Sequence, residues 1–315
     1  MSTLLSVIGF SLLIMETLIG MGANGFIVLV NTIDWLRSRK LFMTDLILTS
    51  LGLARLVWLA VAILYVAMHS FFLDTYLLDH VHLMFTIMWL FTNNVNFWFA
   101  AYLGVWYLTK IAIFSHPVFL QVKRSFSLLV PWLLLGSVVL SAFMTIIIIT
   151  GLKTGSSIYN PFKSLVSNSN ESEIRKPPFI ESFIILAIVQ NVIPLVLFVF
   201  SIIFLIISLW KHMRHLQRDG VSTSDLNTKA HLTAIKALVS FAILYLFSFA
   251  AIVSESTLTW EMKNPALSSV FFNNVSALYP SGHAIILILL NPKLKQAWVR
   301  VMHHLKCHLR EAPSF

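Results

Sequence analysis

Residues 181–209 read ESFIILAIVQNVIPLVLFVFSIIFLIISL, and this stretch decides the class of fold. One acid at its start is followed by 28 residues without a charge, where about 20 apolar residues suffice to carry a helix across a bilayer. Apolar side chains recur at every helical angle, so no single face is set against a soluble core and the surrounding medium must be lipid. Six further runs of the same kind lie near residues 6–33, 46–70, 83–109, 126–150, 232–256 and 267–290. The 315 residues are 58% hydrophobic and 11% charged, with a mean hydropathy of +0.84, more apolar surface than a water-soluble domain of this length can hide. The expectation is an all-α membrane protein, a bundle of seven transmembrane helices forming a single domain over residues 1–315. Short polar loops join the spans, apart from a longer stretch from Gly151 to Ile180 rich in Ser, Asn, Lys and Pro. Met1 to Leu5 carries no basic residue, and the apolar run behind it is too long for a cleaved signal peptide, so it reads as the first span. A lone cysteine, Cys307, leaves no intrachain disulfide to form.

The formal charge of +9 does not indicate nucleic acid here, because the basic residues sit in short segments between apolar runs. Loops rich in Lys and Arg are retained in the cytoplasm. Loops 34–45, 110–125 and 210–231, with the tail from Asn291, hold 15 of the 22 Lys and Arg residues, against five in the opposite loops. This places the N-terminus outside and the C-terminus in the cytoplasm. The sequon Asn170-Glu171-Ser172 falls in the long loop on the outer side and is the expected glycosylation site, whereas Asn274-Val275-Ser276 lies within a span.

Polar groups within a bilayer are costly unless partnered, so each is a candidate for function. Asn24 and Arg55 both fall roughly 15 Å from the loop at 34–45, near the midplane. They are expected to face one another, either as a packing clamp or as a clamp that shifts between states. Glu16 lies near the outer surface, where a carboxylate reaches water. Lys236, about four residues into its span, either snorkels to the headgroups or takes part in signalling. Tyr279-Pro280 should kink the seventh helix, as a hinge or as simple structure.

The third span carries Trp89, Asn93, Asn94 and Asn96 within eight residues, with Trp89 and Asn93 on one face. Trp89, Asn93, Ser248 and Asn273 all fall roughly 9–15 Å below the outer boundary. Two readings stay open: amide glue between helices, or an outward-opening, aromatic-walled pocket for small, largely apolar organic molecules. No Gly-rich phosphate loop, His-Glu metal motif or Ser/His/Asp set points to an enzyme, a cofactor or a metal. His303, His304 and His308 lie in a basic tail expected to rest as an amphipathic helix on anionic membrane lipid.

Several motifs then converge. They run from Gly20-x-x-x-Asn24-Gly25-Phe26-Ile27 and Asp34-Trp35-Leu36, through Leu53-Ala54-Arg55, to Phe97-Trp98-Phe99-Ala100 and the run Tyr107–Pro117. Ser208–Met213, Ala230-His231, Ala234–Ala237, Tyr279–His283 and Asn291–Gln296 complete them. Their order and spacing resemble the type 2, or bitter, taste receptors, a family of G-protein-coupled receptors. The sequence departs from that pattern at Ala54, where the family has Ser, at Asn94, where it often has His, at Ser248, often an aromatic, and at Asn273, where some members have Glu. The Asp-Arg-Tyr and Asn-Pro-x-x-Tyr signatures of rhodopsin-like receptors are missing. Type 1 vomeronasal-like pheromone receptors are the nearest alternative, and a small transporter or channel is the alternative of another class. The resemblance implies a multi-pass protein of the plasma membrane that binds bitter compounds and activates a heterotrimeric G protein with a gustducin-like alpha subunit. It implies ligand contact at Trp89, Asn93, Asn94, Ser248 and Asn273, and activation roles for Asn24, Arg55, Tyr279, Pro280 and His283. It places Lys110, Lys211, His212, His231 and Lys236 facing the G protein, where ordinary cytoplasmic retention of basic residues is the other reading. The acid missing at position 273 implies a weak disfavour for cationic alkaloids.

Overall fold

The computed structural model describes residues 2–40, 42–72, 75, 79–111, 117–166, 178–218, 226–258 and 265–311. Its long helices are α1 (Ser2–Ser38), α2 (Met43–Phe71), α3 (Asp79–Ile111), α4 (Pro117–Val166), α5 (Pro178–Arg218), α6 (Leu226–Leu258), α7 (Pro265–Leu290) and α8 (Pro292–Glu311). No strand occurs among the described residues. Helix is what the apolar runs dictate, because within lipid each backbone polar group must be satisfied inside its own segment. Each of α1 to α7 covers one expected span, and all but α7, which stops at Leu290 as expected, overrun it at both ends. The largest difference lies in the stretch 151–180, expected to be a loop: α4 continues to Val166 and α5 begins at Pro178. A helix leaving the bilayer still satisfies its own backbone, so polar composition alone does not stop it.

Among the described residues, five helices contain segments long and apolar enough to cross a membrane: Val7–Ser38, Met43–Met68, Leu128–Thr154, Ile184–Lys211 and Thr233–Glu255. A sixth is reached when α7 and α8, bent by 92° at their junction, are taken together. The protein is thus a multi-pass membrane protein. α3 is the least lipid-like of the bundle because protein surrounds it. It packs against α2, α4 and α5, and Ala100, Ala101 and Leu103 are almost fully buried. α1 packs on α2 and α7, and α6 joins α5 to α7.

Burial is inverted relative to a soluble protein. Leu128, Trp132, Leu135, Val139, Phe143 and Ile146 form an exposed apolar stripe on α4, while Asn24, Arg55, Asn93, Asn94, Ser248, Asn273 and His283 are buried. The stripe has the three-to-four residue spacing of one helical face, and that face is suited to lipid. Inside, an aromatic core is built on Tyr245, which stacks on Phe198 at 4.2 Å between ring centres and meets Phe97 and Tyr279 edge-on at 4.9 and 5.1 Å.

Candidate functional site

The largest fully buried side chain among the described residues is that of Arg55, 1% exposed. Its Nη2 donates to His283 Nδ1 of α7 at 2.5 Å, and its guanidinium lies 4.8 Å from the centre of the Tyr279 ring. His283 is held between Tyr279 and Phe241, with ring centres 5.4 and 3.9 Å away. A buried cation over an aromatic face with one ring acceptor is a low-dielectric arrangement in which each contact counts for more than in water. Asn24 does not pair with Arg55 as expected: its Nδ2 donates to Gly20 O at 2.8 Å and to Pro280 O at 3.1 Å, while its Oδ1 has no partner. Both residues turn instead to α7. For Asn24 the reason is the close approach of α1 to α7, where a Cβ on Gly20 would collide with the Ser281 side chain and Ser281 Oγ donates to Glu16 O at 3.3 Å. Glu16 is half-buried, with Oε1 closed off and unpartnered, rather than turned fully to water.

Pro280 explains a second residue. Having no N–H, it leaves the Ser276 carbonyl one turn earlier without its helical donor. Ser248 of α6 supplies one, its Oγ donating to Ser276 O at 3.2 Å. α7 therefore continues through Pro280 as one helix, and the sharp turn of 92° falls at the α7–α8 junction instead.

The expected ligand residues divide. Asn93 and Ser248 come together with Trp58, Asn96, Phe97 and Ser276 around a cavity of about 20 Å³, room for a single water. Trp58 Nε1, Asn96 Oδ1 and Ser276 Oγ are buried there without a hydrogen-bond partner. Asn93 lines the cavity with no side-chain hydrogen bond to a described residue. Trp89 stands outside this lining and packs into the apolar clusters beside it. Asn94 turns away to α4, accepting from Ser141 Oγ at 2.7 Å. Asn273 turns to α6, where its Nδ2 donates to Glu255 Oε1 at 2.8 Å, and Ser269 Oγ donates to the same oxygen at 2.9 Å. Glu255 was not legible as a site residue, because it sits at the expected end of a span, where an acid reads as interfacial. It supplies an acid from α6 beside the very position on α7 from which one is missing. Asn274, in the second sequon, is engaged inside the bundle through bonds to Gly9 O at 3.1 Å and Val270 O at 2.7 Å.

At the opposite end, a cleft of about 660 Å³ opens between α2, α3, α6 and the α7–α8 junction, lined by Thr44, Tyr107, Ala237, Phe241, Leu290 and Lys295 among others. Lys110, Lys211 and Lys236 are exposed and none of the three lines the cleft. Lys110 Nζ lies 4.7 Å from the centre of the Trp106 ring. The side chains of His212, His231 and His308, and the whole of Asn170, lie outside the described residues. The tail is the amphipathic helix expected of it, with Trp298, Val299, Val301 and Met302 exposed beside its basic residues.

The family model for taste receptor protein (TAS2R) matches residues 1–306. The chain is 33% identical over 290 residues to taste receptor type 2 member 8 of Papio hamadryas, covering 91% of this chain and 92% of that protein. It is 35% identical over 298 residues to taste receptor type 2 member 104 of Mus musculus, covering 93% and 94%. It is 32% identical over 287 residues to taste receptor type 2 member 7 of Macaca mulatta, covering 91% and 90%. With a match over nearly its whole length and a polar interior in an apolar shell, the chain belongs to the type 2 taste receptor family, the bitter taste receptors, and is a signalling receptor rather than an enzyme.

Proposed function

We propose that this receptor stands in the plasma membrane with its N-terminus outside, as a single seven-span domain in which α3 supplies the remaining crossing. It takes small bitter organic compounds from the outer side, among α3, α6 and α7, and activates a heterotrimeric G protein with a gustducin-like alpha subunit. The observation that carries this reading is the shared cavity of Asn93 and Ser248, with the Asn93 amide available to a ligand. At about 20 Å³ the cavity is far below the roughly 300–1,000 Å³ of a small-molecule site, so agonist binding requires the outer ends of the helices to part. A ligand that binds the parted form better shifts the population towards it. The coupling passes through Ser248, whose bond to Ser276 O joins α6 to α7 beside Pro280, towards Tyr279, His283 and Arg55. At the inner end, α6 lines the cleft through Ala237 and Phe241, and its displacement widens the surface offered to the alpha subunit. Lys110, Lys211, His212, His231 and Lys236 are assigned to the rim of that surface. Asn94, bonded to Ser141, is assigned to holding α3 against α4 behind the pocket, and Trp89 to its outer wall.

The test is calcium mobilisation in cells expressing the receptor with a gustducin-like alpha subunit, challenged with a panel of bitter compounds. The expected outcome is a G-protein-dependent response that Asn93→Ala weakens about tenfold or more in half-maximal concentration, the scale of one lost ligand hydrogen bond, at unchanged surface level. Loss of surface expression instead would assign Asn93 to helix packing.

A further inference from the structure

We infer that the turn after α1 binds a multiply phosphorylated lipid headgroup of the inner leaflet, that of a phosphoinositide, through Arg37, Arg39 and Lys40. This goes beyond the ligand and G-protein reading and shares with it only the orientation in the membrane.

Charge is the first observation. The segment 34–45 holds two acids, Asp34 and Asp45, and three bases, Arg37, Arg39 and Lys40. Lys293 of α8 takes both acids, at 2.9 and 2.8 Å. The three bases are exposed, and none of their side chains forms an ion pair or hydrogen bond with a described residue. The turn therefore presents three cations within four residues, while the carboxylates near them are already neutralised.

The backbone is the second. Arg39 has a φ of 55° and is the only non-glycine residue at positive φ among the described residues. Its N–H donates to Trp35 O at 2.9 Å, so it closes α1 in the left-handed conformation that glycine adopts without steric cost. Ser38 fixes the next residue, its Oγ accepting from Lys40 N at 3.2 Å and donating to Lys40 O at 3.3 Å. A long cationic side chain at a place where glycine fits better points to a use outside the turn itself. Retention of a basic loop in the cytoplasm needs charge alone and gives no reason for a guanidinium at this position.

The level in the membrane is the third. The segment of α1 long and apolar enough to cross a bilayer ends at Ser38, and Trp35, Leu36 and Phe42 are exposed beside the cations. Exposed aromatic rings settle at the edge of the hydrocarbon, which puts Trp35 and Phe42 against acyl chains and the cations against phosphate. An arginine fork engages a phosphate through two parallel donors. Phosphatidylserine offers one phosphate to three cations, whereas a phosphatidylinositol bisphosphate offers three.

The experiment follows binding of lipid probes to the full-length receptor in detergent by native mass spectrometry. The probes are dioctanoyl phosphatidylinositol bisphosphate, dioctanoyl phosphatidylserine and free inositol trisphosphate. We expect the bisphosphate to bind about tenfold more tightly than the serine lipid, and the free headgroup, which lacks chains to meet Trp35 and Phe42, to bind more weakly than the bisphosphate. Arg39→Gly should weaken the bisphosphate about fivefold, the scale of one cation at an anionic headgroup, while the midpoint of thermal unfolding without lipid holds or rises. Arg37→Gln combined with Lys40→Gln should weaken it about 25-fold on the same scale. Should Arg39→Gly unfold, that double variant, which leaves the Arg39 backbone untouched, decides alone. Lys153→Gln, an equal loss of exposed charge near the other end of the α4 span, should leave binding unchanged. Equal affinity for the two lipids, unchanged binding in folded Arg39→Gly, or as large a loss in Lys153→Gln overturns the site. Equal affinity for free inositol trisphosphate overturns the lipid as its occupant. Both faces of the receptor are open in detergent, so an inverted orientation would leave binding intact and would show instead in whether Asn170 carries a glycan.

Discussion

Arg55 and His283 show how a bilayer protein makes use of a group that lipid would reject. The guanidinium is enclosed by α2 and α7, with His283 Nδ1 as acceptor and the Tyr279 ring beside it, so removing either partner strands the other. His283→Phe keeps a ring between Tyr279 and Phe241 but deletes the acceptor. It should cost about 2–3 kcal/mol, the range for a hydrogen bond to a charged group, read as a lower midpoint of thermal unfolding in detergent. Adding Arg55→Met to that variant should recover most of the loss, because replacing both polar partners by apolar groups of similar size is close to neutral. Additive losses in the double-mutant cycle would mean that the two residues act independently. The single residues were visible in the sequence as costly intramembrane groups, but their pairing was not. Depth along a helix follows from counting residues, whereas the azimuth that turned Asn24 and Arg55 to α7 follows from how α1, α2 and α7 pack on one another.

Among elements, the α7–α8 junction is the one whose cause can be followed through from local sequence. Asn291 caps α8, its Oδ1 accepting from Lys293 N at 3.0 Å. Pro292 then occupies the first helical position, where a missing N–H costs nothing. The turn delivers Lys293 to two acids, Asp34 at the end of α1 at 2.9 Å and Asp45 at the start of α2 at 2.8 Å, so a single ammonium ties α8 to both. Burial alone would lower the Lys293 pKa, but the hydrogen bonds and charges of Asp45 and Asp34 outweigh it and the net shift is upward from 10.5. A raised pKa on a basic group means that its stabilisation is complete below the ordinary value and is lost only as pH rises through the folded one. The tie therefore holds throughout the neutral range. Because Lys293 is 29% exposed, the tie is worth on the order of 1 kcal/mol or less. Lys293→Met should leave the bundle folded while amide hydrogen exchange along α8 accelerates about fivefold, the equivalent of that energy. Exchange unchanged from wild type would show that the apolar face of α8 alone holds it in place.

For the molecule as a whole, the distribution of charge is the ground for the orientation that the proposal uses. Asn170 lies on the outer side in that orientation and the tail from Asn291 on the inner. An enzyme that strips N-linked glycans should accelerate the electrophoretic migration of the wild-type chain, and Asn170→Gln should abolish the shift. Asn274→Gln should not change it, since Asn274 is bonded within the helix bundle. A glycan at Asn274 would count against its place within the bundle, and none at Asn170 in a chain that reaches the cell surface would count against the N-terminus lying outside.

Composition and the apolar runs determined by themselves that the protein is helical and membrane-embedded, with segments at the observed places. Those properties depend on each segment's own transfer into lipid and on backbone bonds that close within a few residues. The motif order likewise identified the family. The tertiary structure alone decided the partners inside the bundle: Arg55 with His283, Ser248 with the carbonyl freed by Pro280, Asn94 with Ser141, and Asn273 with Glu255. Such pairings depend on the rotation and separation of neighbouring helices, and within lipid a nearly uniform apolar surface leaves little periodic signal from which to read rotation. That is why depth could group Trp89, Asn93, Ser248 and Asn273 by level, while packing alone paired Asn94 with Ser141 and Asn273 with Glu255.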